Sequence, residues 1–445
     1  MRQLIIASLC VLVAVSCKKE NTAYTGVGQV VDPFAKGLPG ITVQAGEQTA
    51  VTDVDGNFQL ELTGPQLLQP IDSHYYFVPP TVQVNRNTAP LTLQGFYQLD
   101  NTSQQVVNWL VGQQLPNGLL ESAEDGNVVS LYDQALAALV FLANGRVVEA
   151  ERIFDFFADR VSSELKKGPG GFAQLRDRNG VPNNHRWMGD NAWLLIALHH
   201  YKSATQNPQY NSLMEALEDW LRSLQDTDGG LFAGYASDNS LLNYKVTEGM
   251  IDAFVAVPGY DSFHQQLLDY LEADRWEAMD QNLMAWPANP PYKWALDNFS
   301  WAYCAFPEYP VATLDAADRF RTTQTATGTG NLLEGYDIDE DRETIFMEGT
   351  GQMALAFHLA GRMGDKQYFL AEMRKAYFDS PTYLNAGGFP YASNPGSGYG
   401  SDPLWPTAHT EIALSGGAWY VLAQTGFNPL RIGLEKPVPE ADQFW

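Results

Sequence analysis

The chain has few cysteines, few cations and no long apolar run. It has three Cys in 445 residues. Two of these, Cys10 and Cys17, fall in the N-terminal segment, so only Cys304 is left to the body of the protein. No disulfide and no cysteine-based metal site can be assembled there. Lys and Arg total 27 against 52 Asp and Glu, a formal charge of −25. Nucleic acid is bound by cations that neutralise phosphates, so this balance excludes it as a partner. It also repels sulfated or phosphorylated glycans, because the basic residues form no local cluster. Histidine is scarce, at seven residues. The longest apolar stretch, Leu4 to Val15, is about a dozen residues and too short for a membrane-spanning helix. Aromatic residues are abundant, with 11 Trp and 21 Tyr.

Arg2, the apolar run, Ser16 and Cys17 have the layout of a secretory leader. Ser16-Cys17 resembles the lipobox of bacterial lipoproteins, in which the cysteine becomes the acylated N-terminus. Lys18, Lys19 and Glu20 resemble the charged stretch that follows it in Bacteroidetes lipoproteins. The resemblance implies a signal over 1–17, a linker over 18–23, and an outer-membrane lipoprotein, periplasmic or surface-exposed, touching the membrane through Cys17 alone.

Residues 24–98 show period-two patterning with turn signals. Thr52 to Phe58 reads as a hairpin, with Asp55-Gly56 in the turn and Phe58, Leu60 and Leu62 on one face. A calcium loop through Asp53, Asp55 and Asn57 lacks a downstream acidic ligand, since Glu61 is too close. The run from Gly26 through Gly40-Ile41-Thr42-Val43 to that turn resembles the carboxypeptidase regulatory-like β-sandwich, an accessory module expected to space a larger domain from the membrane.

From residue 99 the pattern is helical, and a glycine followed by a large apolar residue recurs in polar loops: Gly118-Leu119, Gly171-Phe172, Gly230-Leu231, Gly330-Asn331-Leu332 and Gly388-Phe389. The spacing is about 45 to 60 residues, with one double gap that holds a degenerate copy at Leu283 to Trp286. Before each copy lies an amphipathic stretch, as in Leu213, Met214, Leu217, Trp220, Leu221 and Leu224; after it lies one apolar nearly all round, as in Ala135 to Leu142. This predicts a mainly α protein: an (α/α)6 toroid over 99–430, preceded by the small β-sandwich and followed by a tail over 431–445. The helix pairs are 101–114 with 131–143, 147–165 with 190–204, 209–225 with 246–257, 261–273 with 293–306, 310–325 with 345–362, and 366–379 with 408–424.

In such a ring the inner helices all start at one end. Their first residues are Tyr132-Asp133, Trp187 to Asn191, Thr247-Glu248, Lys293-Trp294 with Asp297-Asn298, Glu348-Gly349-Thr350, and His409-Thr410-Glu411. Every one brings a carboxylate. Acidic residues also favour helix N-termini for capping and dipole reasons, at roughly 0.5 to 2 kcal/mol each. Capping needs no aromatic company, however, and Tyr132, Trp187, Tyr244, Trp286, Trp294 and Trp405 lie in or beside the same segments, with Trp193 and Trp301 a turn or more inside.

The arrangement resembles the six-hairpin glycosidase superfamily through Gly189-Asp190-Asn191-Ala192-Trp193, Thr247-Glu248-Gly249 and Met347-Glu348-Gly349-Thr350. That resemblance implies a two-carboxylate glycoside hydrolase acting on an oligo- or polysaccharide, without cofactor or metal, as a monomer. Glu348 and Asp190 lead as the catalytic pair, Glu348 as acid in an apolar surround and Asp190 as the ionised partner. Glu248 and Asp133 follow. Tyr132, Trp187, Asn191, Tyr244, Trp286, Trp294, Trp405, His409 and Glu411 are the expected substrate contacts. A lyase or sugar epimerase on the same ring remains open but would draw on few bases, His185 and His409, and on one cation, Arg186. A glycan-binding protein without turnover would keep the aromatic residues and not need the carboxylates. An isoprenoid-handling ring would need an aspartate-rich metal motif in the inner helices. The acidic run Asp337, Asp339, Glu340, Asp341 reads as a solvated loop.

Overall fold

A computed structural model describes residues 23–431 and 433–445; the leader and Cys17 lie outside the described residues. The chain divides into two units, one made of residues 23–31 and 37–95, the other of residues 32–36 and 96–445.

The first unit contains β1 (Ala23–Val31), β2 (Thr42–Ala45), β3 (Gln48–Val51), β4 (Asn57–Thr63), β5 (Gln66–Ile71), β6 (Tyr75–Val78), β7 (Val82–Val84) and all but the last two residues of β8 (Leu91–Tyr97). These form two four-stranded sheets, ordered β4-β1-β8-β6 and β3-β2-β5-β7. They share a core that includes Val30, Val43, Leu68 and Leu93. The period-two expectation holds in β4, where Phe58, Leu60 and Leu62 are buried and the residues between them exposed. The expected hairpin does not form. β4 pairs with β1 and β3 with β2, so the tight turn at Asp53–Gly56 carries the chain from one sheet to the other. Thr52 makes the switch: its amide donates to the Ile41 carbonyl and its hydroxyl to the Leu38 carbonyl, 2.6 Å away. Asp53 accepts the amides of Asp55 and Asn57, so its carboxylate serves the turn.

The second unit is built from twelve helices: α1 (Asn101–Gln113), α2 (Leu131–Ala143), α3 (Val147–Ala158), α4 (Met188–Thr205), α5 (Asn211–Ser223), α6 (Thr247–Ala256), α7 (Ser262–Asp274), α8 (Asp297–Ala305), α9 (Ala312–Ala316), α10 (Met347–Leu359), α11 (Met363–Arg374) and α12 (Leu414–Thr425). The even-numbered helices pack in succession, and α12 returns to α2, which closes the ring. They are buried almost throughout, as their all-round apolar sequences require. The odd-numbered helices lie outside. In α5 the predicted stripe from Leu213 to Leu221 is buried while Glu218 and Arg222 pair on the outer surface at 2.9 Å.

The repeated glycine has a physical cause in two of the units. Gly118 and Gly229 have φ of +91° and +92°, and a Cβ on either would sit 2.1 Å from a backbone oxygen of the next outer helix, Arg152 and Gln266 respectively. A glutamine four residues earlier completes the device. Gln114 Nε2 donates to the carbonyls of Gly118 and Glu149, and Gln225 Nε2 to those of Gly229 and Phe263, all at 2.8 to 3.0 Å. Gly330 is different: it sits in the turn of a hairpin, with open space around it.

That hairpin corrects the fifth unit. The outer helix expected over 310–325 stops early, and Arg321–Thr325 pairs antiparallel with Leu332–Tyr336. Three of the four residues in Thr322-Thr323-Gln324-Thr325 are β-branched, which favours a strand. The sixth inner helix starts at Leu414, several residues after its expected position. Residues 433–445 belong to the ring unit. Trp445 donates its indole to the Pro307 carbonyl at 3.0 Å, and Tyr260 donates to Asp442 at 2.6 Å. No helix among the described residues is long and apolar enough to cross a membrane.

Candidate active site

Asp133, Asp190, Glu248, Asp297 and Glu348 occupy the first turns of α2, α4, α6, α8 and α10. With Asp125 and Glu411 they line one cavity of about 850 Å³. None of the five is the N-cap of its helix. Ser130 caps α2, and the other four helices start behind Trp187, Val246, Leu296 and Phe346, which make no side-chain cap bond. The acids therefore project into the cavity from helices that do not use them for capping.

Glu348 is the most supported. Its Oε1 accepts the Tyr132 hydroxyl and, at 3.2 Å, the Gln352 amide. The Trp419 indole in turn donates to the Tyr132 oxygen at 2.7 Å, and Ser300 donates to Gln352 at 3.0 Å. Beneath these groups Tyr132, Trp193, Trp301 and Trp419 pack with ring centroids 5.3 to 6.4 Å apart. Asp190 accepts a longer bond from Gln174, at 3.4 Å. One oxygen of Asp297 has no partner, and neither oxygen of Asp252, fully buried one turn beyond Glu248 on α6, has one.

Burial dominates the electrostatics. It pushes Glu348 up to about 7 against the opposing pull of donors led by Tyr132. Asp133 rises to about 7, chiefly through burial, with Ser122 opposing and the Glu348 charge adding. Asp190 also rises to about 7 through burial, opposed by the Tyr132 amide and assisted by the Asp133 charge. Its polar neighbours do not outweigh desolvation, which corrects the expectation of a freely ionised Asp190. Glu248 goes highest of these four, to about 8, through burial and then the charges of Asp190 and Glu348. Asp297 and Asp252 are also pushed well up, chiefly by burial and then by the Glu248 charge.

These shifts fix the sign of a pH dependence. Unfolded carboxylates titrate near 4. Between there and about 7 to 8 the folded ring holds protons that the unfolded chain has released, so this part of the stability is lost as pH rises through the folded values. His199, His200, His264 and His358, all pushed down chiefly by desolvation, act in the opposite sense, but below about 6.5. Thermal unfolding should therefore show Tm falling by about 5 °C between pH 6.5 and 8. A flat or rising Tm in that window would contradict the buried-acid reading.

The other expected contacts divide. Tyr132, Trp187, Trp405 and Glu411 line the cavity. Tyr244 and Trp286 do not; they stack on each other at 4.7 Å and 20°, beside Trp187. Asn191 is fully buried and ties the Phe172 amide and the Phe172 and Trp187 carbonyls. Trp294 is 8% exposed, packed on Phe299 with the Arg319 guanidinium over its ring. His409 lies in the loop ahead of α12 and is not part of the cavity wall. Tyr391, Ser415, Gln174 and Asp297 are wall residues outside the expected set. Asp297 was visible at the start of its helix; Tyr391 sits in a loop, two residues beyond Phe389 of the glycine phrase, where no helical register points.

The acidic run is not a solvated loop. Asp337 and Asp339 are buried, and one oxygen from each of Asp337, Asp339 and Asp341 lies within 4.8 Å of the others, a set able to hold a cation. Backbone amides already fill much of it: Ile338 and Thr344 donate to Asp337, and Asp341 and Gly400 to Asp339.

The sequence matches no protein-family model and no curated protein. Solved structures do match. A sugar epimerase from a ruminal bacterium aligns with TM-score 0.52 at 10% identity, over 73% of this chain and 97% of its own. A glycosidase variant aligns with TM-score 0.51 at 10% identity, over 75% and 100%. The cellobiose 2-epimerase of Spirochaeta thermophila aligns with TM-score 0.50 at 13% identity, over 74% and 94%. The fold is shared with glycosidases and sugar epimerases. The ring is thus a glycosidase-like (α/α)6 toroid, and at these identities the likeness concerns fold alone.

Proposed function

We propose that the protein is a carbohydrate-active enzyme, a glycoside hydrolase, with its chemistry at the mouth of the toroid. The observation that carries this reading is the convergence of five carboxylates, one from each of five successive inner helices, on a single cavity walled by Tyr132, Trp187, Trp193, Tyr391 and Trp405. Glycosidic hydrolysis needs one protonated carboxyl and one that can ionise, and aromatic faces suit sugar rings. Glu248 is half-buried, open to the cavity, and holds its proton to about 8, so it serves as the acid. Glu348 accepts two hydrogen bonds that favour its anion and serves as the base or nucleophile. These roles reverse the expectation that Glu348 is the acid.

The epimerases among the matching folds favour a second reading. Epimerisation removes a proton beside a carbonyl, a task usually given to histidine. Among the described residues the cavity wall holds no histidine, and burial drives Tyr132 and Tyr391 upward, away from use as bases. Hydrolysis is the better supported of the two. A glycosidase with the same fold is seen with glucose bound, which agrees with a saccharide partner. Screening the chain against a glycan panel tests the reading: new reducing ends support hydrolysis, whereas interconversion of a free sugar without them supports epimerisation.

Trp405 is 41% exposed at the mouth and rests on Tyr391, with centroids 4.7 Å apart. Replacing it by Ala should raise KM about ten-fold, the loss of one aromatic contact, with a smaller effect on kcat. Steady-state kinetics on the best panel substrate would check this, and an unchanged KM would remove Trp405 from the site. We also propose that Cys17 anchors the chain in the cell envelope as an outer-membrane lipoprotein, with the β-sandwich as a regulatory-like spacer module. Metabolic labelling with a fatty acid, lost in Cys17→Ser, tests the anchor.

A further inference from the structure

Resting on the reading that the cavity binds a saccharide, we propose that it takes the end of a glycan chain and not its interior, so that the enzyme works from chain ends. The shape of the wall carries the argument. Among the described wall residues only Asp125, Val128, Trp405 and Thr407 are exposed. All four come from the loops ahead of α2 and α12, and these loops lie side by side. The Leu414 amide donates to the Ser122 carbonyl at 2.8 Å, and the Glu124 amide to that of Ile412 at 3.0 Å. The entrance is on that side.

Across the ring from the junction of α12 and α2 stand α6 and α8, and there the cavity is closed. The closing element is a short hairpin that pairs Ser397–Tyr399 with Asp402–Pro403. Burial, and then the charges of Glu248 and Asp297, push the Tyr399 hydroxyl up, so it stands beside the acids of α6 and α8. Two anchors hold the hairpin in place. Tyr399 donates to the Tyr292 carbonyl at 2.5 Å and sets its ring edge-on to Tyr292, with centroids 4.9 Å apart. The acidic run supplies the other anchor. The Gly400 amide donates to Asp339 at 2.7 Å, the Ser397 hydroxyl to Asp341 at 3.0 Å, and the Ser397 amide to Glu343. Ile338, next to Asp339, is itself in the wall, so the hairpin is fastened where the wall ends.

From Tyr292 the closure continues as a row of rings. Tyr292 meets Trp286, Trp286 meets Tyr244 and Tyr244 meets Trp187, with centroids 5.9, 4.7 and 6.2 Å apart. Tyr244 and Trp286, which are not in the wall, form a barrier behind it. An internal stretch of polysaccharide has to enter and leave, which takes a groove open at two ends. A cavity of about 850 Å³ has the size of an enclosing pocket, and with one open side it admits a chain only end first.

The test incubates the full chain with soluble starch, mixed-linkage β-glucan, xylan, α-mannan, galactomannan and arabinan, and follows reducing ends and viscosity together. Short products should accumulate while viscosity holds. A loss of viscosity ahead of the reducing ends reports internal cuts and would overturn the proposal. Tyr399→Ala removes the ring beside Glu248 and Asp297, so viscosity should then fall at equal reducing-end release. An unchanged product pattern in that variant, folded by circular dichroism, would overturn the hairpin as the barrier. If no polymer yields reducing ends, calorimetric titration with the same six glycans separates the two readings. One protein bound per chain, whatever the chain length, keeps the end-binding site and sinks the hydrolase. Several proteins per chain, or no binding at all, sinks the end-binding site.

Discussion

Glu348→Gln should lower kcat by roughly 1,000-fold or more while leaving the ring folded. The side chain is 5% exposed, and its Oε1 accepts the Tyr132 hydroxyl and the Gln352 amide. A glutamine oxygen in the same place accepts both bonds, so the links from Trp419 through Tyr132, and from Ser300 through Gln352, keep their ends. The substitution takes away the ability to carry a negative charge or a transferable proton. It also removes a group whose ionisation burial opposes, so Tm at pH 8 should hold or rise. Reducing-end release and circular dichroism on the same preparation separate the two effects. Full activity in a folded variant would remove Glu348 from the mechanism, and loss of the fold would show that a glutamine there does not keep the bonds from Tyr132 and Gln352.

Gly229→Ala should destabilise the ring by about 3 to 5 kcal/mol. Two costs combine there. The backbone has φ of +92°, a conformation that L side chains rarely adopt, and the new methyl would lie 2.1 Å from the Gln266 carbonyl oxygen of α7. That oxygen belongs to backbone and cannot swing aside, so the outer helix would have to move. Gly259→Ala is the control. Its φ is +77° with nothing within 4 Å, so only the conformational cost of about 1 kcal/mol applies. Denaturant unfolding of both variants measures the difference. Similar losses would mean that the loop relaxes and that the close approach does not hold the phrase in place. Gly118→Ala, which meets Arg152 in the same way, should behave as Gly229→Ala does.

The helical ring was legible because its signal is local and repeated. Inner helices such as Ala135 to Leu142 are apolar on every side, and that composition alone demands burial all round. The fifth outer helix is legible only in part, because three threonines between Thr322 and Thr325 favour a strand and outweigh the repeat. Trp294 and Asn191 are hidden for another reason. Both stand at the right positions near inner helix starts, but adjacency along the chain does not say which way a side chain points, and both turn into protein.

From the sequence alone come the period, the alternation of half-apolar and wholly apolar helices, and a carboxylate at the start of five of the six inner helices; the sixth, expected at Glu411, lies in the loop ahead of α12. Each of these is set by residues within a few positions of one another. The working state of those carboxylates is a different matter. Tyr132 reaches Glu348 across 216 residues, and the charges raising Glu248 sit on two other helices. Affinity for a proton depends on which donors and charges stand around a group in space and on how much water they displace. Only closure of the ring, α12 against α2, decides that.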